Sequence, residues 1–268
     1  MAAPLCPLLG DGVTDDTLLH IASFLANPRD LLRLQLTCPR FAAKVIAAPS
    51  VIGGGGGADG PAAAEMLSIP EEAARRWVAG CSEQERGWVP RRELESWLGL
   101  MHEVEELRLP LAFGRSHATV TLSENGALAT RTAGGGWRTA ASKVVMRSGR
   151  HFAQFTVVAG RDMSLGVIRP GWDVEGGVDA PAVDGHCFHN TYDGSRWPDY
   201  SDWEGKQATR EQGDRIGMLL DLDQGSMSIW KNGERLGVMQ AEGLTGPLCW
   251  AVSLGRSSAR IESAAVPA

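Results

Sequence analysis

Between Asp15 and Leu25 the apolar residues Leu18, Ile21, Ala22 and Leu25 recur at i, i+3, i+4 and i+7, the spacing that lines one face of a helix. Thr14 stands where a side-chain oxygen can cap the first turn, and Asp15 and Asp16 favour its positive end. Asn27-Pro28 supplies a second cap with proline in the first turn, leading into Arg29-Asp30-Leu31-Leu32-Arg33-Leu34, and Cys38-Pro39-Arg40-Phe41 opens a third helical stretch. Three such helices alone enclose little core, so their leucines are expected to need a partner.

The helical period lapses at Pro49. Gly53 to Gly57 and the following Ala58-Asp59-Gly60-Pro61 read as flexible, which defines a linker over residues 48–61. Beyond it, Ser68-Ile69-Pro70-Glu71 has the spacing of a capping box, and Ala74, Trp77, Val78 and Cys81 resume the helical stripe. Leu94, Trp97, Leu98 and Met101 repeat it after Pro90. Residues 62–112 are therefore expected to form a helical connector with Trp77 and Trp97 in its core.

From about His117 the period falls to two, with turn residues roughly every ten positions, the pattern of an all-β sandwich. Asn125-Gly126 marks one hairpin and Asn232-Gly233 another. With Asn232-Gly233 as a two-residue turn, Lys231 faces Glu234, Trp230 faces Arg235, Ile229 faces Leu236 and Met227 faces Val238, so charge pairing and apolar alternation agree on one register. Ile216, Met218, Leu220 and Leu222 extend this to a three-stranded meander, and Phe152–Val158, Leu165–Ile168 and Leu248–Leu254 supply further strands.

Composition narrows the function. In 268 residues, 43% apolar, a real core can form, in one large domain or two modest ones. No stretch approaches the roughly 20 consecutive apolar residues of a membrane-spanning helix, and the opening Met1-Ala2-Ala3-Pro4-Leu5 lacks a basic signal-peptide start. A net charge of −6 argues against a broad grip on nucleic acid or anionic lipid. Cys6, Cys38, Cys81, Cys187 and Cys249 are odd in number, scattered and without C-x-x-C, so neither a disulfide framework nor a zinc site is expected, and a cytoplasmic or nuclear location is.

Two family resemblances rest on these residues. Gly213-Asp214-Arg215-Ile216-Gly217, Leu220-Asp221-Leu222-Asp223, Ser226-Met227-Ser228-Ile229-Trp230 and Lys231-Asn232-Gly233-Glu234-Arg235-Leu236-Gly237-Val238, with Ser164-Leu165-Gly166-Val167 and Gly149-Arg150-His151-Phe152 upstream, resemble the SPRY family over residues 115–264. That resemblance implies a concanavalin-like jelly-roll sandwich whose loops bind other proteins. Val13 to Leu25, Asp30-Leu31-Leu32-Arg33-Leu34 and Cys38-Pro39-Arg40-Phe41 resemble an F-box over residues 8–47. That one implies that Val13, Leu18, Ile21, Leu25, Leu31 and Leu34 dock on the Skp-type adaptor of a cullin ubiquitin ligase. The expected fold class is multi-domain α plus β: an F-box-like helical region, a helical brace and an all-β SPRY sandwich. The expected function is substrate recognition in an SCF-type ligase, the alternatives being a SPRY interaction module without a ligase role or a lectin-like glycan-binding sandwich.

Residues 170–214 carry ten Asp and Glu against three Lys and Arg, together with most of the sandwich's aromatic residues. Trp172, Asp173, Tyr192, Trp197, Tyr200 and Trp203 are the candidate target-binding residues, because rigid rings beside carboxylates suit a neutral-to-basic peptide segment. The competing reading makes the tryptophans anchors for a long loop. No catalytic residue, metal site or cofactor is expected. His186 and His189 fall on opposite faces of a strand, Asp221-x-Asp223-x-Gly225 lacks the closing acid of a calcium loop, and the glycine run lacks the Gly-Lys-Ser/Thr of a phosphate loop. The chain is therefore read as a non-catalytic subunit.

Overall fold

The computed structural model describes residues 13–37, 39–48, 65–92 and 95–267. Cys6, Cys38, Leu94 and the predicted linker from Pro49 onward lie outside them. The chain divides into two units, Met1–Arg108 and Leu109–Ala268.

In the first unit the helices are α1 (Asp15–Ala22), α2 (Pro28–Thr37), α3 (Pro39–Ala42), α4 (Ile69–Ala79), α5 (Glu83–Trp88) and α6 (Trp97–Arg108). Thr14 caps α1 by accepting from Thr17 N, and Asn27 Oδ1 accepts from Arg29 N at 2.8 Å at the start of α2. α3 is a single turn. The chain then forms β1 (Lys44–Ala48), which pairs antiparallel with β2 (Glu65–Ser68), so Ala48 belongs to a strand rather than to the linker. Neither strand shows a period of two in the sequence, and their pairing alone defines them.

Ser68 caps α4 by accepting from Glu71 N, but Glu71 does not complete a capping box. Its carboxylate accepts from Ser96 Oγ and Trp97 N, both at 2.7 Å, and so caps α6 instead. The capping box forms at Ser82 and Glu85, where hydrogen bonds led by Arg108 draw the Glu85 carboxyl down to about 2. Inside this unit Leu18, Leu31, Ile69, Met101 and Val104 share one core. The expectation that the leucines of α1 and α2 require a partner is thereby corrected for Leu18 and Leu31, because α4 and α6 supply their apolar cover. Glu72 is buried beside them. Burial opposes its ionisation, but hydrogen bonds from Arg75 and Arg76 outweigh that and hold its pKa below the usual range.

The second unit is a sandwich of two antiparallel sheets. Its strands are β3 (Phe113–Ser116), β4 (Thr121–Ser123), β5 (Leu128–Arg131), β6 (Arg138–Ser142), β7 (Arg150–Ala159), β8 (Met163–Ile168), β9 (Cys187–Asn190), β10 (Arg196–Trp197), β11 (Arg215–Asp221), β12 (Ser226–Lys231), β13 (Glu234–Gln240), β14 (Cys249–Leu254) and β15 (Ser257–Ser263). One sheet runs β10-β9-β8-β14-β6-β3 and the other β13-β12-β11-β7-β15-β5-β4. Phe155, Leu165, Ile216, Ile229 and Trp250 fill the space between them. A smaller core of Ile168, Phe188 and Ala251 lies on the opposite face of the six-stranded sheet, because alternate residues of β8, β9 and β14 point each way.

The β12–β13 hairpin starts in the predicted register, with Lys231 opposite Glu234 and Trp230 opposite Arg235. Two irregularities then intervene. Between Trp230 and Ile229 one residue is inserted, so Ile229 pairs with Gly237 rather than Leu236, and between Ser228 and Met227 a second is, so Met227 pairs with Gln240 rather than Val238. The first insertion exchanges the faces of the strand, so Met239 is buried and Val238 is exposed.

Candidate functional site

Residues 169–214 connect β8 to β11 and carry the short strands β9 and β10 and one 3-10 turn, Ala180–Ala182. Along the outer face of the six-stranded sheet their aromatic rings form a row. Trp172 meets His186 edge-on at 5.7 Å, His186 meets Phe188 at 6.5 Å, and Phe188 stands opposite Trp197 in the β9–β10 ladder. Tyr200 closes the row with its ring centroid 3.8 Å from that of Trp197. Phe188 is fully buried, Trp172 and Trp197 are half-buried against the smaller core, and Tyr200 is 59% exposed.

Local bonds hold the turn that presents Tyr200. Arg196 forms an ion pair with Asp199, and that hydrogen bond draws the Asp199 carboxyl down to about 2. Asp199 Oδ1 also accepts from Ser201 N and Oγ. Tyr200 itself has φ of 53°, a left-handed conformation uncommon for a non-glycine residue. Asp173, beside Trp172, is exposed and accepts from Glu175 N at 3.0 Å.

At the other end of the β9–β10 hairpin stands Tyr192, 54% exposed, with the Arg210 guanidinium 4.4 Å from its ring centroid. The loop beneath it is rigidly tied. Asp193 accepts from Ser195 N and Oγ, bonds that outweigh burial and keep its carboxyl below the usual range. Thr191 Oγ1 donates to Arg161 O and Met163 O.

Trp203 is only partly buried. It packs on the main core, its Nε1 donates to Gly194 O at 2.8 Å, and its ring meets His189 edge-on at 6.1 Å. His189 is fully buried, with Nε2 2.8 Å from Thr209 Oγ1, and burial pushes its pKa down to about 4. His186 faces the other side, its Nδ1 2.9 Å from Ala180 O. Among the described residues no group of three His, Cys, Asp or Glu could hold a metal ion. The Cys187 thiol is pushed up to about 12 by burial, which removes it as a nucleophile at neutral pH.

The six predicted target-binding residues thus separate. Trp172, Asp173, Trp197 and Tyr200 share one face, Tyr192 marks the far end of the same hairpin, and Trp203 is partly buried against the main core. The acidic excess is dispersed as well: Asp199 pairs with Arg196, Asp202 with Lys206 at 2.6 Å, and Asp214 with Lys231 at 3.4 Å.

In the helical unit the predicted adaptor-binding residues also divide. Leu18 and Leu31 are interior, Val13, Leu25 and Leu34 are partly buried against the same core, and Ile21 is exposed. Among the described residues of this unit Phe24, at 74%, and Leu36, at 78%, are the most exposed large apolar residues, and Leu32 is exposed too. In the sequence α2 carries Leu32 and Leu36 at i and i+4 beside Leu31 and Leu34, and the spacing shows two apolar rows without showing which of them is covered.

Residues 151–265 match the SPRY domain family. Among solved structures the chain is similar to the SPRY domain of human HERC1, with 21% identity and a TM-score of 0.45 over 54% of this chain and 94% of that one. It is also similar to the TRIM65 PSpry domain, with 14% identity and a TM-score of 0.44 over 58% of this chain and 90% of the other. Residues 151–265 form a SPRY domain, a protein-interaction module.

Proposed function

We propose that the chain is the substrate receptor of an SCF-type ubiquitin ligase, in which the helical unit docks on a Skp-type adaptor and the SPRY sandwich holds a target protein. The observation that carries this reading is the union, in one chain, of a SPRY domain with a leucine-rich helical unit that leaves Ile21, Phe24, Leu32 and Leu36 uncovered. Exposed apolar side chains on adjacent helical turns are the usual currency of helix docking. The target lies along the β9–β10 edge, gripped by Tyr192 at one end and Tyr200 over Trp197 at the other. A neutral-to-basic segment suits the uncompensated carboxylate of Asp173. The subunit does no chemistry. It raises the effective concentration of a target lysine near the conjugating enzyme that the cullin carries.

Affinity capture on the full chain tests this. The unmutated chain is expected to retain adaptor, cullin and a target protein, whereas Tyr192→Ala with Tyr200→Ala retains adaptor and cullin but loses the target. Loss of the adaptor from both, with the target kept, would support the second reading, an interaction module without a ligase role. The burial of Leu18 and Leu31 within the helical unit's own core favours that second reading.

A further inference from the structure

The outer face of the seven-stranded sheet carries a groove of about 660 Å³ that the target-binding edge does not use. Such a face is ordinarily polar where it meets solvent, yet here Leu219, Trp230 and Val238 line it. The floor has a specific construction. Phe152 meets Trp230 edge-on at 5.7 Å and lies over Gly217, where an added Cβ would stand 2.6 Å from the Phe152 ring. A glycine inside a strand weakens the strand, and here it makes room for that ring.

Arg235, Ser226 and Ser228 around the floor are unspent. Arg235 reaches over Trp230, with the guanidinium carbon 5.8 Å from the ring centroid, and has no hydrogen bond or ion pair among the described residues. The hydroxyls of Ser226 and Ser228 are likewise without hydrogen bonds there. Asp221, the one carboxylate among the described residues that line the groove, is already engaged: it accepts from Asp223 N and Gln224 N and lies 3.6 Å from Arg150. Among the described lining residues two cations therefore stand against one carboxylate, which Arg150 shares with two backbone donors while Arg235 has no anionic partner.

We infer that this groove binds an extended acidic segment of a partner protein, with carboxylates on Arg150 and Arg235 and apolar side chains over Leu219 and Val238. Shape decides between a small anion and a chain. Arg150 and Arg235 stand three strands across and four residues along the ladder from each other, about 20 Å between Cα atoms at standard strand spacings, with the apolar Leu219 on a strand between them. A peptide crossing that distance meets both. The segments of this chain outside the described residues are an unsuitable occupant, since they carry only Asp11, Asp59 and Glu93 as acids. This inference is independent of the ligase reading, because the groove and the β9–β10 edge belong to different sheets.

The test is fluorescence anisotropy of the full chain with a labelled eight-residue peptide of alternating glutamate and leucine. The expected result is saturable binding that weakens at least tenfold in Arg235→Glu and in Arg150→Glu, while Tyr192→Ala with Tyr200→Ala leaves it unchanged. Both arginines are exposed, and thermal melts of each variant establish that it is folded. Equal binding of the alternating lysine and leucine peptide, preference for an oligothymidylate strand, or folded arginine variants that bind as the parent does would each overturn the inference.

Discussion

His151 and His189 are sealed in the sandwich as neutral imidazoles, each pushed down to about 4 by burial, against about 6.5 for the free side chain. The unfolded chain therefore binds protons that the folded chain refuses. Stability from this source is fully present above pH 6.5 and is lost as pH falls through 6.5 toward 4. At pH 5 the cost is about 2 kcal/mol for each histidine. His186 adds to it in the same direction, its pKa lowered by burial. Carboxylates such as Glu85 and Asp199, drawn down to about 2, release their stabilisation only in more acid solution. Urea melts at pH 7.5 and pH 5 should therefore differ by several kcal/mol, and His189→Phe should remove part of that difference; equal midpoints would refute the burial argument. Sequence spacing was enough to place His186 and His189 on opposite faces. It could not reveal their burial, because that depends on Trp172 and Trp203 closing over them from a loop without periodicity.

The same scale separates the aromatic residues. Trp197→Ala opens the smaller core and should cost about 2–4 kcal/mol, whereas Tyr200→Ala removes an exposed ring and should leave the melting temperature within a degree or two. Comparing the two by calorimetry distinguishes a residue that supports the site from one that presents it. A shared drop would mean that Tyr200 is part of the fold's support.

Among the elements, β8 depends on a residue that the family pattern contains but does not explain. Gly166 lies where an added Cβ would come 2.0 Å from Cys187 O and 2.8 Å from Phe188 Cα. Gly166→Ala must push β9 away from β8, and a loss of roughly 3 kcal/mol or more is expected in urea unfolding. Glu71→Ala should cost about 1 kcal/mol by uncapping α6. It tests whether the carboxylate serves α6, since Ser68 still caps α4. The helices were legible from their stripes and caps because those signals are local. The hairpin register was legible only up to its first bulge, because two charge-matched pairs beside Asn232-Gly233 fix the turn, whereas the extra residue at Leu236 is selected by packing against the main core. The pairing of β1 with β2 had no signal, since strands that meet across a long connection carry no turn between them.

For the whole molecule, the change from a helical period to a period of two near His117 divided the chain close to the observed boundary at Arg108 and Leu109. The SPRY domain over residues 151–265 was legible because its motif stretch runs through β11, β12 and β13 without interruption. Which leucines face outward was not legible. Leu18 and Leu31 have the right spacing for docking, but α4 and α6 cover them, and that cover comes from residues far along the chain. Substituting them would unfold the helical unit rather than probe its surface.

The central claim is most directly tested by light scattering of the full chain mixed with purified Skp-type adaptor, alongside Phe24→Glu with Leu36→Glu. The account predicts a one-to-one complex with the unmutated chain and none with the double variant, whose melting temperature should match the parent's because both side chains are exposed. Absence of a complex with the unmutated chain, or a complex indifferent to the double substitution in a folded protein, would contradict it.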